Sequence, residues 1–480
     1  MESAGLRRRQ REQKQPPEPP LPRRKAHSQR TAPPLTPSTH HNSPLPRSLT
    51  TGYPPPLFTI NLSHPPHHRY DHVAHALQPA LASINFESLF TEAATLLLPP
   101  TITTGPAAWL LPPTTHLLRT LSRLLLRRLH SAEETAELRG ISRETGLALD
   151  LLVAFNVGLD LLMGCTSGGV RMQGGSGSSS SSSGGGKSRM VHFRTLDWDM
   201  DELRPLVVEL EFVRFAGGPV VARTVGYFGY VGVLTGVRRG LSLGLNFRAG
   251  QQQQAGGGWG RRWKVGWHLG MVLMGWRRGV ASVLRGYLLG DGAVRKQKMG
   301  TGYVELEGDD GEFPAIDDIL ADLAHSPSTA AYLIFCTPSR VYSVEKGYCT
   351  ASVRSSSEFL TTCNHDVADE PDPMRIHAAA KGVASQGMAE IIDESFERKQ
   401  AVEEVWKQRV RLRRKSRPRE GEGVDAVNLD DVLQMLGHEC IIYGGTHYAV
   451  ILDPGHGEML WRRVYRTNDL RDADGLGTIR

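Results

Sequence analysis

Cys165 is the residue on which chemistry could turn. An apolar run over 147–164 ends at Met163-Gly164, and Cys165-Thr166-Ser167 then opens a stretch of different periodicity. A thiol at such a boundary can serve as a nucleophile, or be inert, since free cysteine is among the most buried residue types. Downstream come His192-Phe193-Arg194-Thr195-Leu196-Asp197-Trp198-Asp199, then Gly229-Tyr230-Val231-Gly232-Val233-Leu234-Thr235-Gly236, then Thr362-Cys363-Asn364-His365-Asp366 and Asp372-Pro373-Met374-Arg375. Arg194 and Asp197 are three apart, so at a strand end with a bend both reach one mouth; a surface ion pair worth little is the other use of that spacing. Taken alone, Asn364 is a turn residue after a strand over 358–363, and Arg375 a solvated loop charge.

Other candidate sites fail on spacing. His438, Cys440 and His447 span a strand and a turn with no fourth partner, so no metal is expected. Gly184-Gly185-Gly186-Lys187-Ser188 lacks the first glycine of a phosphate loop, which falls at Ser181, and lacks a preceding strand. Five cysteines, an odd number without CxxC spacing, indicate neither a disulfide framework nor a zinc ribbon.

The elements that must position these residues divide into helical and strand-rich stretches. A short strand is expected at 57–60, a helix over 72–98 stopped by Pro99-Pro100, and a helix over 115–130 with leucines on one side and arginines on the other. Core packing with a solvated basic face is the reading preferred there over lipid-surface binding. Ser131-Ala132-Glu133-Glu134 has capping-box spacing, and a further helix runs from Ser142 to Met163. Strands follow at 190–196, 205–215, 220–227 and 241–247, with Gly217-Gly218 as a hairpin turn. Helices at 267–289 and 316–325 precede strands at 331–336, 340–345, 350–355 and 358–363. A charged helix at 394–414 leads to closing strands at 440–443, 448–452 and 458–464. Helices, sheet, helices and sheet again imply an α+β chain with two packed sheets covered by helices.

The chain has 480 residues, 40% apolar and 22% charged, which excludes collagen, coiled coil and small disulfide scaffolds. Residues 1–57 hold ten Lys/Arg against three Glu and 13 of the 30 prolines, so the net +6 belongs to this segment and the rest sums to −1. With few apolar clusters it cannot offset its ordering entropy and is expected to be a disordered Pro/Arg-rich tail. Its basic runs are not a folded face with interleaved aromatics, so no nucleic-acid partner is expected. Two low-complexity segments, 174–186 and 249–262, are expected to be flexible insertions. The run over 147–164 is interrupted by Asp150, Asn156 and Asp160, too polar for a membrane span, so a soluble chain is expected. The N-terminus shows no apolar signal-peptide core, which leaves the compartment open between the cell interior, a start upstream of the true one, and unconventional targeting. Asn61-Leu62-Ser63 is a glycosylation sequon that matters only on the secretory route.

In this order, the pieces around Cys165, Arg194, Gly229, Asn364 and Arg375 resemble the acid ceramidase family, which includes the N-acylethanolamine-hydrolysing acid amidases and belongs to the cysteine N-terminal nucleophile hydrolases. The likeness runs from about residue 57 onward. Glu137-Leu138-Arg139-Gly140-Ile141-Ser142 looks like the motif ahead of the nucleophile, and 448–465 like the closing strands.

The resemblance implies a four-layer αββα sandwich and a precursor cleaved between Gly164 and Cys165. The products are a helical α region over 58–164 and a catalytic β region over 165–480, held as an αβ heterodimer. Once Cys165 becomes a chain terminus, its own α-amine, with an unperturbed pKa of about 7.7–8.0, can take the thiol proton. Glycine before it leaves the carbonyl open to attack. By similarity, Arg194 lies beside the sulfur and favours thiolate, Asp197 holds the amine, Asn364 donates to the oxyanion, and Arg375 orients the group or contacts substrate. The implied activity is hydrolysis of a lipid amide, ceramide first and an N-acylethanolamine second, with transient contact to a membrane or micelle and no cofactor. A binding relative without activity is the alternative of another class. One departure is Leu245-Asn246-Phe247-Arg248, where Phe247 stands in the place the family gives to Glu, bearing on head-group recognition or the pH profile.

Overall fold

The computed structural model describes residues 46–96, 100–103, 105, 108–158, 164–173, 188–198, 200–248, 259–290, 296–299, 302–305, 313–372, 374–376, 378, 386–416 and 426–471. Its strands begin with β1 (Leu57–Asn61), β2 (Gly164–Met172), β3 (Arg189–Asp197), β4 (Val207–Val213) and β5 (Val220–Tyr227). β6 (Thr235–Arg238), β7 (Leu241–Phe247) and a small ribbon, β8 (Lys296–Met299) with β9 (Gly302–Glu305), follow. Then come β10 (Ala331–Cys336), β11 (Val341–Lys346), β12 (Ala351–Ser356), β13 (Phe359–Thr362), β14 (Thr446–Asp453) and β15 (Glu458–Val464). One sheet has the order β1-β4-β5-β6-β7-β10-β11-β12, the other β13-β2-β3-β14-β15. Among the described strands β1 joins its neighbour in parallel and the other strand pairings are antiparallel.

Helices before the junction are α1 (Arg47–Thr50), α2 (Asp71–Ala82), α3 (Phe86–Leu96), α4 (Pro100–Thr103), α5 (Leu111–Leu125), α6 (Ala132–Thr145) and α7 (Leu149–Gly158). Those after it are α8 (Trp259–Leu273), α9 (Val280–Leu289), α10 (Ile316–His325), α11 (Gln386–Ser416), α12 (Leu429–Leu436) and α13 (Thr467–Arg471). The sheets pack face to face: β2 lies against β7 and β11, and β3 against β10. Helix α9 covers the outer face of the larger sheet, while α11 and α12 cover the smaller one. The expected αββα layering is therefore present.

Boundaries moved where polar side chains compete for the backbone. The single helix expected over 72–98 is two, because Ser83 closes α2 by donating to Ala80 O and Asn85 opens α3 by accepting from Ser88 N. Helix α5 starts earlier than expected, with prolines in its first turn, where the missing N–H costs nothing. Ser131 caps α6 through Glu134 N as expected. Ser142, however, lies inside α6, which ends at the left-handed Gly146 before α7 begins. The helix expected at 267–289 is divided into α8 and α9. Strand 205–215 loses its first residues to a 3₁₀ turn, and 440–443 is turn rather than strand.

The expected tail is described only from 46, and residues 46–57 are folded: Leu49 is buried, Tyr53 and Val464 exchange backbone hydrogen bonds, and Pro56 O accepts from Glu209 N. Pairing with existing strands supplies what composition could not. Residues 1–45, 174–186, 249–258 and 159–163 lie outside the described part, whereas 259–262 belong to α8 rather than to an insertion. Among the described residues no helix is long and apolar enough to cross a membrane.

Segments before and after residue 164 are joined through buried polar groups. Glu137 of α6 is fully buried between Arg285 of α9, which donates at 2.5 and 2.8 Å, and Arg69, at 2.9 Å. Arg285 also donates to Val231 O. Asn156 of α7 donates to Gly229 O and accepts from Val231 N, both at 2.8 Å. Breaking a buried ion pair leaves an uncompensated charge in a low dielectric. Glu137→Gln is accordingly expected to lower unfolding free energy by about 3–5 kcal/mol, as measured by urea denaturation of the purified protein.

Candidate active site

Three adjacent strands and one helix bring four of the five expected residues together. In the β2–β3 register Gly164 lies opposite Asp197, Cys165 opposite Leu196 and Ser167 opposite Arg194. On the other edge of β2, Thr362 pairs with Ser167, so Asn364, two residues on, draws level with Cys165. Cys165 N donates to Asn364 Oδ1 at 2.9 Å. Arg194 Nη2 lies 3.4 Å from Cys165 Sγ and donates to Leu245 O, while Nη1 donates to Leu234 O at 2.7 Å. The guanidinium thus crosses from one sheet to backbone carbonyls of the other. It passes over Gly244, where a Cβ would stand 2.8 Å from Arg194 Nη1, so only glycine leaves it room.

Asp197 is buried with both oxygens engaged. Oδ1 accepts from Thr446 Oγ1 at 2.8 Å; Oδ2 accepts from Arg398 Nη1 at 2.9 Å and Thr195 Oγ1 at 3.3 Å. Burial pushes its carboxyl up to about 6, against the opposing pull of Arg398, the two threonines and Arg194. Burial likewise pushes the Cys165 thiol up to about 11, and the charges of Arg194 and Arg398 only partly offset it. His192, on the same strand as Arg194, is held neutral between Ser167 Oγ at 2.8 Å and Ser242 Oγ at 3.1 Å, its pKa lowered to about 3 by burial and by Arg194.

Arg375 does not join this group. Its side chain is 66% exposed and reaches only Asp372, at 3.9 Å. Arg398 of α11 occupies the place instead, donating to Asp197 and, at 3.0 Å, to Asn364 Oδ1. The resemblance pointed to Arg375; the sequence signal for Arg398 is the spacing along α11, where the buried residues Ile392, Ser395, Arg398, Val402 and Val405 form one inward stripe with an arginine in it.

The neighbours of Asn364 are also committed. His365 Nδ1 lies 2.6 Å from Ser395 Oγ, and Asp366 takes both arms of Arg248 at 2.8 and 2.7 Å. Asn364 presents its carbonyl, not its amide, to Cys165, and gives an Nδ2 hydrogen to Phe247 O at 2.8 Å. Phe247 itself is buried. His447 bonds Tyr227 Oη at 2.7 Å and His438 Nδ1 accepts from Cys440 N, separate uses for the two histidines.

Beside the site lies a cavity of about 520 Å³, lined almost wholly by apolar side chains of α3, α5, α7 and α8. Trp198 and Gly158 form part of its wall, the first adjoining Asp197 in sequence and the second closing α7 ahead of the junction. Trp198 packs edge-on against Tyr227, as does Phe155 of α7.

A buried thiol beneath a guanidinium, flanked by a carboxylate and an amide on a two-sheet sandwich, defines the class as a cysteine-centred αββα protein. The family model for the beta subunit of N-acylethanolamine-hydrolyzing acid amidase matches residues 53–121. The acid ceramidase of Mus musculus is 28% identical over 233 residues, 45% of this chain and 51% of that protein. The N-acylethanolamine-hydrolyzing acid amidase of Caenorhabditis elegans is 32% identical over 132 residues, 25% of this chain and 33% of that one. A solved structure of the Caenorhabditis elegans N-acylethanolamine-hydrolyzing acid amidase ortholog covers 62% of this chain and 99% of its own, at 16% identity and a TM-score of 0.37. The chain spans about half the length of the first curated relatives it matches. Over these stretches it is similar to members of the acid ceramidase and N-acylethanolamine-hydrolysing acid amidase family.

The burial of Cys165 has a direct chemical readout. In the uncut chain near neutral pH, iodoacetamide is expected to alkylate the exposed Cys349 first. Cys165 should follow at least about two orders of magnitude more slowly, since thiolate is the reacting form. Peptide mass mapping of the time course checks the order.

Proposed function

We propose that this chain is the precursor of a cysteine amidase that cuts itself between Gly164 and Cys165 and then hydrolyses the amide of a lipid, ceramide foremost. The observation that carries the reading is the meeting of Cys165 Sγ with Arg194 at 3.4 Å and of Cys165 N with Asn364 Oδ1 at 2.9 Å, with the preceding Gly164 paired opposite Asp197.

The cut proceeds by attack of Cys165 Sγ on the Gly164 carbonyl carbon. The C–N bond breaks, the nitrogen takes a proton and leaves as the α-amine of Cys165, and water hydrolyses the thioester to a carboxylate and a free thiol. The Asn364 Oδ1 contact already in place then holds the new amine, with Asp197 nearby to balance its ammonium form. In turnover the amine accepts the thiol proton and the thiolate, favoured by Arg194, attacks the lipid amide carbonyl. The same nitrogen delivers the proton to the departing amine, and water releases the fatty acid. Oxyanion donation by Asn364 requires its Nδ2 to turn from Phe247 O, so its first duty on this reading is to hold nitrogen. Arg398, in place of Arg375, fixes both Asp197 and Asn364.

The apolar cavity suits an acyl chain. Helices α5 and α8, which line it, also expose Trp109 near one end and Leu124, Trp263 and Trp267 on their surfaces, at 74%, 61%, 68% and 52%. Trp263 and Trp267 stack at 6.5 Å, and α5 carries Arg123 and α8 carries Lys264 next to these residues in sequence. Amphipathic aromatics with cations favour a lipid interface, in keeping with docking at an anionic membrane or micelle beside the acyl site.

Cys165→Ala is expected to remain one band near 53 kDa and to hydrolyse neither ceramide nor palmitoylethanolamide; an active uncut variant refutes the reading. For the wild type, N-terminal sequencing should yield a fragment beginning Cys-Thr-Ser, and side-by-side turnover of the two lipids decides between the substrates. The double substitution Trp263→Ala/Trp267→Ala should weaken binding to anionic vesicles by roughly tenfold while sparing turnover of a short-chain soluble amide.

A further inference from the structure

Strand β14 does not run evenly beside β3. Thr446 pairs with Asp197 but Tyr448 with Leu196, so His447 is one residue too many and the strand bulges at the site. A bulge changes which face consecutive side chains take and recurs where a side chain must be re-aimed. Here it turns the Thr446 hydroxyl onto Asp197 Oδ1 at 2.8 Å and sends His447 the other way, to Tyr227. Tyr443 N donates to Thr446 Oγ1 at 3.2 Å, and the hydroxyl hydrogen has the carboxylate at 2.8 Å as its nearer acceptor, with Ile441 O at 3.4 Å.

The turn that carries Thr446 is clamped by a buried arginine absent from every sequence motif. Arg204 Nη1 donates to Thr446 O at 2.5 Å and to Tyr465 O at 3.2 Å, Nη2 donates to Gly444 O at 2.6 Å, and Nε pairs with Asp201 at 2.7 Å. Trp198 N donates to Gly445 O at 2.8 Å, fixing the same turn to the residue after Asp197. Three carbonyls held by one side chain leave this turn little freedom.

We propose that Thr446 is a positioning residue of the cysteine site: with Arg204 holding its turn, its hydroxyl sets the direction and the proton affinity of the carboxylate of Asp197, which pairs across from Gly164, the residue before Cys165. The inference rests on the self-processing reading above. Groups facing Asp197 are Arg398 from α11, Thr195 and Arg194 from β3, Cys165 from β2, Cys363 after β13, and Tyr227 from β5. Among its hydrogen-bond donors, Thr446 is the nearest neutral one, so removing it changes the carboxylate without adding or deleting charge.

The test uses the full chain and compares pH profiles of self-scission and of amide turnover for wild type, Thr446→Val, Thr446→Ala and Thr446→Ser. A hydrogen bond to the ionised form favours that form. Without it Asp197 holds its proton to higher pH, and since the ionised carboxylate is the working form, the acidic limb moves upward. A shift of about one pH unit is expected for Thr446→Val, with Thr446→Ser restoring the wild-type limb. If Thr446→Val does not accumulate as folded protein, Thr446→Ala is read in its place by the same criterion. Superimposable profiles, or a Thr446→Ser limb displaced as far as that of the apolar variant, overturn the proposal. Cys165→Ala separates the two levels. If it stops scission while the Thr446 profiles coincide, only the positioning role falls; if scission persists in Cys165→Ala, the self-processing reading falls and takes the positioning role with it.

Discussion

The arrangement around Cys165 depends on one buried cation. Arg194 is fully enclosed between the sheets, and among the described residues no carboxylate lies within ion-pair distance of it. Backbone carbonyls of Leu234 and Leu245 accept from its Nη1 and Nη2, its Nε has no hydrogen-bond partner, and the thiol sits against Nη2. Burying a charge is costly unless it is hydrogen-bonded throughout, so the carbonyls must stand where they do. That requirement ties the spacing of the two sheets to the chemistry: β6 and β7 cannot shift without stranding the guanidinium, and Gly244 cannot acquire a side chain without displacing it.

Around this cation the space between the sheets is more polar than a usual sandwich core. Ser167, His192 and Ser242 form a chain from one sheet to the other, Ser343 and Thr362 a second, and Thr235 with Tyr448 a third. Each polar atom that finds its partner fixes register, because a slip of one residue turns all of them to the wrong face. Apolar packing on the outer faces, by α9 on one side and α11 with α12 on the other, supplies the burial that these polar links do not.

Much of this was legible in the sequence, and the misses share a cause. The layered α+β architecture followed from the alternation of helical and strand periods, and the grouping of Cys165, Arg194, Asp197 and Asn364 from the resemblance to the acid ceramidase family. Strand β2 escaped periodicity because Gly-Cys-Thr-Ser-Gly-Gly, buried on both faces, has no apolar alternation. Arg375 was singled out by the resemblance, and Arg398, some 34 positions beyond Asn364 on α11, carried no motif. Arg204 and Thr446 had no local signal: their roles come from a turn closed by residues some 240 positions away in the chain. Residues 46–57 looked too poor in apolar groups to fold, and do so by borrowing partners from β4 and β15.

The walls of the apolar cavity have a consequence for how such a protein can change. Most come from α3, α5 and α7, encoded ahead of the junction, whereas the thiol and its charged partners are encoded after it. On the proposed reading, the lining that would hold an acyl chain and the reacting thiol therefore occupy separate stretches of the gene. Drift or recombination in the first stretch can reshape the cavity while Cys165 and its charged partners keep their places, a modularity inherited from the fold and not from any domain boundary.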